Sequence, residues 1–173
     1  MGTSGHHSRR SDLGESAEGK QNLFYVILKE DSLVFLLRKG GCSGKNGIFI
    51  SATGPNVNLN STRERALEKL KMSVHSLIHP GNMVPHLIPA YSKESIALAQ
   101  AQQRKSDGKR KPKLRIAVVD ADKVHGRAKY RDLRSLASQF GIRIPRRDWD
   151  RPEYEYVFSP YIPLCAVQHV YRV

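Results

Sequence analysis

The residues with the most distinctive chemistry in this sequence form a cationic run at positions 104–115. Seven of these twelve residues are Lys or Arg and one is Asp, which gives the run +6 of the formal net charge of +13. Runs of like charge repel themselves and commonly serve to bind a polyanion. The most frequent such partner is a nucleic acid, because each neutralised phosphate also releases counterions. The predicted phosphate-binding residues of this run are Arg104, Lys105, Lys109, Arg110, Lys111 and Lys113.

A second group of cations surrounds Trp149. Arginine binds phosphate through two parallel hydrogen bonds, and an exposed tryptophan can stack on an unpaired base. Four acidic residues between positions 148 and 155 balance the arginine charge locally. The patch therefore fits contact with nucleic acid, and it fits equally well a contact with protein in which Trp149 is the anchor. Its members are Arg143, Arg146, Arg147, Trp149 and Arg151.

Asp120 ends an apolar, strand-like segment, and Asp122 follows two residues later. Ligands of α/β sheets gather at the carboxyl ends of strands, and Mg²⁺ held there by carboxylates supports phosphodiester hydrolysis. Asp148 and Asp150 could supply further oxygens. One hypothesis is therefore a small metal-dependent nuclease that uses Asp120 and Asp122, with Mg²⁺ as cofactor. In the simpler interpretation Asp120 caps a turn, Asp148 and Asp150 pair with arginines, and the protein has no catalytic residue, metal or cofactor.

The composition is that of a foldable chain. At 173 residues with 39% hydrophobic side chains, the chain suits one core or two small subdomains. Cys42 and Cys165 lie far apart outside any C-x-x-C pair, so we expect reduced thiols. No apolar run is long enough for a membrane span, and the first residues lack the apolar core of a signal peptide. We therefore expect an intracellular protein with no membrane contact, and its compartment stays open.

The amino-terminal part of the chain divides into a polar tail and a β-rich subdomain. Residues 1–21 are small and polar and predict a disordered tail. Residues 22–91 predict a β-β-β-α subdomain, with a capping box of Ser61 and Glu64 at the helix start. The predicted elements are strands at 23–30, 32–39 and 47–51 and a helix from 61 to 79 with Leu67, Leu70, Val74 and Leu77 on its buried side.

The carboxyl-terminal part predicts a second subdomain behind a cationic linker. Residues 92–113 predict a helix that runs into the linker, and residues 114–173 predict a β-α-β-β segment. Within this segment we expect a strand at 114–121, a helix at 130–140 ended by Gly141, a short strand at 142–144 and a last strand around 166–171. A strand, a helix and a strand at this spacing indicate a parallel crossover and a mixed sheet. The predicted fold class is α+β, with α/β as the alternative.

These features favour a nucleic-acid-binding protein that acts as a non-catalytic component or accessory factor of a nucleoprotein complex. RNA is the preferred partner over DNA, because the sequence has no helix-turn-helix, zinc-finger or zipper pattern for the major groove. Protein partners within a larger complex are also expected. Two alternatives stay open: the metal-dependent nuclease, and a structural subunit whose cationic run docks on an acidic protein.

Overall fold

The computed structural model describes residues 22–29, 49–51, 57–79, 86–106, 112–145 and 153–173. Within these ranges the fold is α+β, with one six-stranded antiparallel sheet, one two-stranded sheet and three α-helices. None of these helices is long and apolar enough to cross a membrane. The strands are β1 (Leu23–Lys29), β2 (Phe49–Ser51), β3 (Ile88–Tyr91), β4 (Leu114–Asp120), β5 (Lys129–Asp132), β6 (Glu155–Ser159), β7 (Tyr161–Pro163) and β8 (Val167–Arg172). The helices are α1 (Glu64–Ile78), α2 (Glu94–Ser106) and α3 (Leu133–Gln139).

The six strands of the large sheet do not follow the order of the sequence. Their spatial order is β5-β6-β3-β1-β4-β8, and every neighbouring pair is antiparallel. The longest ladder joins β1 to β4, with seven residue pairs from Leu23 opposite Asp120 to Lys29 opposite Leu114. Strands that precede the cationic run therefore pair directly with strands that follow it, and both predicted subdomains contribute to one sheet.

The two faces of the sheet are covered by different elements. Because side chains alternate along a strand, Phe24, Val26 and Leu28 of β1 all point to one face. There they pack with Phe158 of β6 and with Ile162 of the small β2–β7 sheet. The opposite face is covered by helices. Its buried contacts include Tyr91 and Ile116 with Ala97 of α2, and Val157 with Leu70 of α1 and Leu136 of α3.

Helix α1 confirms most of the predicted buried stripe but not the predicted cap. Leu70, Val74 and Leu77 are buried against the sheet and α3, whereas Leu67 is only half-buried. The N-cap residue is Arg63 in extended conformation, and its side chain makes no capping hydrogen bond. The capping box was wrong because Ser61 lies two residues before the N-cap, where its hydroxyl accepts from the Arg63 amide at 3.3 Å.

The predicted parallel crossover was also wrong. Residues 142–145 form no strand, and the half-buried Ile142 and Ile144 instead pack against the α1–α3 cluster. The predicted mixed sheet is antiparallel throughout the described strands. Tyr130 was placed in a helix but lies on β5, since α3 begins only after Asp132, whose carboxylate accepts from the Ser135 amide at 2.6 Å.

Other predictions for the elements were correct or fall outside the described ranges. The strand predicted at 23–30 is confirmed as β1, and Gly141 ends α3 with φ of +64°. Of the strand predicted at 47–51, the described residues Phe49–Ser51 form β2, which pairs with β7. The predicted tail at 1–21, the strand at 32–39 and the linker residues 107–111 lie outside the described residues.

Two substitutions on α1, two residues apart, should differ in their effect on the free energy of unfolding, because one residue is on the buried face and the other on the exposed face. Leu70 is fully buried, so Leu70→Ala should lower the free energy of unfolding by about 2–5 kcal/mol through lost contacts and a residual cavity. Met72 is 53% exposed, and Met72→Ala should change that free energy by no more than about 0.5 kcal/mol. Urea unfolding of the three proteins measures both effects. Equal losses in the two variants would contradict the packing of α1.

Candidate nucleic-acid interface

A cavity of about 290 Å³ opens between the carboxyl end of α2, the start of β4 and the end of β8. Four of its seven lining residues are cationic and none is acidic. The cationic residues are Lys105, Lys113, Arg115 and Arg172, and we refer to this site as the cationic groove. Pro112, Leu114 and Val173 complete its lining. The site therefore has the charge needed to bind an anion.

Helix α2 is held close to the sheet and is tied to β8. Ala97 and Ala101 are fully buried, and such small side chains allow a helix backbone to approach strands closely. At the amino end of α2, the Tyr171 hydroxyl donates to the Glu94 carboxylate at 2.5 Å. The pKa of Tyr171 is raised, mainly by its burial and in addition by this carboxylate. At the carboxyl end, the Lys105 ammonium donates to the main-chain oxygen of Val173. These contacts fix where the helix ends beside β8.

The ladder between β4 and β8 places two arginines together. Arg115 and Arg172 are directly opposite each other in the register, so their side chains share one face of the sheet. Arginine side chains can bind phosphate because they donate two parallel hydrogen bonds.

The structure brings together only part of the predicted phosphate-binding run. Lys105 and Lys113 line the groove, and Arg104 precedes Lys105 in the last turn of α2. Lys109, Arg110 and Lys111 lie outside the described residues. The predicted residues omitted Arg115 and Arg172. Arg172 is distant in sequence and enters the groove only through the pairing of β8 with β4, which no local pattern signals.

Of the predicted tryptophan–arginine patch, only Arg143 is described. Its side chain is exposed, and its main-chain oxygen accepts from Nε2 of His79 at 2.9 Å, next to the end of α1. Arg143 is not among the residues that line the groove. The other members, Arg146, Arg147, Trp149 and Arg151, lie outside the described residues, so the patch stays a prediction.

Asp120 serves as the cap of a short 3₁₀ turn at Ala121–Lys123. Its side chain is only 9% exposed. One carboxylate oxygen accepts from the Asp122 amide at 3.1 Å, and the other contacts the Lys123 ammonium at 3.1 Å and Nε2 of Gln168 at 3.4 Å. The bond to Lys123 contributes most to holding the pKa of Asp120 below its ordinary value.

These contacts match the turn-capping interpretation of Asp120. Asp122 has an exposed side chain, and Asp148 and Asp150 lie outside the described residues. Within the described part of the chain, no three His, Cys, Asp or Glu residues lie close enough to share a metal ion. The nuclease hypothesis for Asp120 and Asp122 stays a prediction that no described contact favours.

Comparison with known proteins bears on the fold. No family model and no curated protein matches the chain. A solved structure named EcPltA is similar, with a TM-score of 0.55 at 16% sequence identity over 89% of this chain and 77% of that one. At this identity the likeness concerns the arrangement of the backbone alone.

The lowered pKa of Asp120 gives a pH-dependent contribution to stability. A carboxyl whose pKa is lower in the folded state stabilises the fold above its unfolded-state pKa, and this stabilisation is lost as the pH falls through the folded-state pKa. Asp120→Asn should therefore lose stability at neutral pH and should show a smaller further loss on acidification than the wild type. Asp122→Asn, which alters an exposed neighbour, is the matched control and should follow the wild type. Urea unfolding at neutral pH and near pH 3 measures both, and parallel wild-type and Asp120→Asn profiles would contradict this role.

Proposed function

We propose that this protein binds nucleic acid, RNA in preference to DNA, as a non-catalytic component or accessory factor of a nucleoprotein complex. The cationic groove is the observation that supports this proposal. Lys105 of α2, Lys113 and Arg115 at the start of β4 and Arg172 of β8 all line one opening, and no acidic side chain lines it. Three of these cations belong to the run 104–115, and the pairing of β8 with β4 adds Arg172, which is distant in sequence.

Residues 107–111 lie outside the described residues and carry three further cations, Lys109, Arg110 and Lys111. In the sequence they connect Ser106 to Pro112, which lines the groove. Each residue of a chain spans at most about 3.6 Å, so covalent linkage limits the distance between these cations and the groove. We therefore propose that they contribute to the same contact with a polyanion.

RNA is favoured over DNA by the form of the site. Proteins that read duplex DNA commonly insert a helix or a β-ribbon into the major groove. Here the cations lie at a helix carboxyl end and at two strand ends. Such a site suits the phosphates of an irregular or single-stranded RNA, whose backbone can bend into a recess.

A salt series tests the proposal directly. If the groove and residues 107–111 contact about 6–10 phosphates of a single strand, affinity for RNA should fall by roughly 300-fold to 10⁴-fold between about 50 and 200 mM salt. The triple variant Lys105→Gln, Lys113→Gln, Arg172→Gln removes three of these contacts. It should reduce the slope of log affinity against log salt by about 2, since each contact to a single strand contributes about 0.7. Fluorescence anisotropy with labelled RNA, and with DNA of the same sequence, measures the slopes.

The control is a second triple variant with the same loss of charge. Arg65, Lys71 and Lys93 are exposed cations that do not line the groove, and their replacement by Gln should leave the slope near the wild-type value. Equal slopes for the two triple variants would show that net charge alone matters and would remove the groove from the proposal. The docking alternative would be favoured if the wild-type protein binds no nucleic acid. It would then have to bind an acidic protein, and nucleic acid should not displace that protein.

A further inference from the structure

Two histidines lie side by side at the carboxyl end of helix α1. His75 belongs to the last turn of α1, and His79 is its C-cap residue. Both side chains are exposed, and their ring centroids are 4.8 Å apart with 39° between the ring planes. Residues four apart on a helix share one face, which explains the contact between the rings. Neither residue lines the cationic groove.

The distance between the two rings suits a shared metal ion. Imidazole nitrogens bind transition metals at about 2.0–2.1 Å, and the ring centre lies roughly 1.1 Å behind the nitrogen. When two such bonds meet at about 90–110°, the ring centroids are about 4.5–5.2 Å apart. The observed 4.8 Å lies within this range. Rings that pack without a metal cover the same distances, so the state of the nitrogens decides whether an ion can bind.

One nitrogen of His79 is in the state that a metal requires. Nε2 of His79 contacts the main-chain oxygen of Arg143 at 2.9 Å. A carbonyl oxygen only accepts, so Nε2 carries the proton, and in the neutral ring Nδ1 keeps its lone pair. A histidine that binds a metal commonly donates its other N–H to a main-chain oxygen, which fixes the orientation of the ring. The contact with Arg143 therefore prepares His79 as a ligand.

Met72 lies on the same exposed face of α1, one turn before His75. Its side chain is 53% exposed, the largest value among the large hydrophobic residues that the structure describes. With about 3.6 residues per turn, Met72, His75 and His79 fall within about 60° around the helix axis. Side chains tilt toward the amino end of a helix, so His75 is directed toward the turn that carries Met72. A soft thioether beside two imidazoles is a ligand set that favours copper.

We propose that His75, His79 and Met72 bind one copper ion at the carboxyl end of α1. The two imidazoles bind Cu²⁺ and Cu⁺, and the thioether adds a ligand that Cu⁺ prefers. The partial negative charge of the helix end favours a cation at this position. Water completes the coordination of Cu²⁺, because within the described ranges no third His, Cys, Asp or Glu lies close enough. This inference is independent of the proposed function.

Copper titrations of the 173-residue chain test the site. Competition with a chromophoric chelator measures the affinity for Cu²⁺ in air and for Cu⁺ under ascorbate without oxygen. Every protein compared carries His6→Ala and His7→Ala, because these two adjacent histidines could bind copper themselves. In this parent protein, His75→Ala combined with His79→Ala should weaken both affinities by about tenfold or more, because the two ligands no longer act together on one ion.

The matched control replaces two other exposed histidines. His125→Ala combined with His169→Ala removes the same number of imidazoles outside α1 and should leave both copper affinities near the parent value. Mg²⁺ prefers oxygen ligands and should not compete with copper for the site.

Met72→Leu measures the contribution of the thioether. Leucine has a similar size, so the exposed surface of α1 changes little. The affinity for Cu⁺ should fall by about tenfold or more, whereas the affinity for Cu²⁺ should stay near the parent value. An unchanged Cu⁺ affinity would overturn the assignment of Met72 as a ligand.

Pulsed electron paramagnetic resonance of the parent protein tests the histidines without relying on a variant. With less than one equivalent of Cu²⁺, the spectrum should show two bound imidazoles. A spectrum without two bound imidazoles would overturn the site, even if the variant lacking His75 and His79 fails to fold. Equal copper affinities of that variant and of its matched control would overturn the site as well.

Discussion

The antiparallel pairing of β1 with β4 is the constraint on which the rest of the structure depends. Its seven residue pairs join segments on the two sides of the cationic run into the centre of one sheet. A shift of this register by one residue would exchange the two faces of a strand, because side chains alternate along it. A slip of β1 would take Phe24, Val26 and Leu28 out of their core. Apolar burial along β1 therefore fixes the register of the ladder at the centre of the sheet.

The cationic groove lies directly beside the apolar core. Arg115 and Arg172 are opposite each other in the β4–β8 register, and the adjoining strand residues Ile116 and Ala117 are fully buried. Burial of apolar surface contributes about 25 cal/mol per Å² and holds the strands together whatever ion occupies the groove. The groove is preorganised in this sense, because the free energy that places its cations close together comes from burial of the core and does not depend on a bound anion.

Local features of this fold were predictable from the sequence, and the long-range ones were not. The strand at 23–30, the stripe of α1 and the end of α3 at Gly141 depend on neighbours a few residues away. The strand and the helix end are confirmed, and the stripe is confirmed for Leu70, Val74 and Leu77. The order of strands, the place of Tyr130 on β5 and the presence of Arg172 in the groove depend on which segments meet in space. The cationic run indicated an anion site from composition alone, but its partner on β8 required the pairing of the strands.

The two edges of the large sheet carry cations, and this has a consequence for how the molecules behave at high concentration. Strand edges with unpaired main-chain groups tend to join the edge of another molecule, and positive side chains oppose this by mutual repulsion. Lys129 and Arg131 occupy β5, and Arg172 occupies β8. A polyanion that neutralises these residues would also remove their protection. Under the proposed function, copies of this chain would therefore self-associate edge to edge when they are saturated with the polyanion, and not when the polyanion is absent.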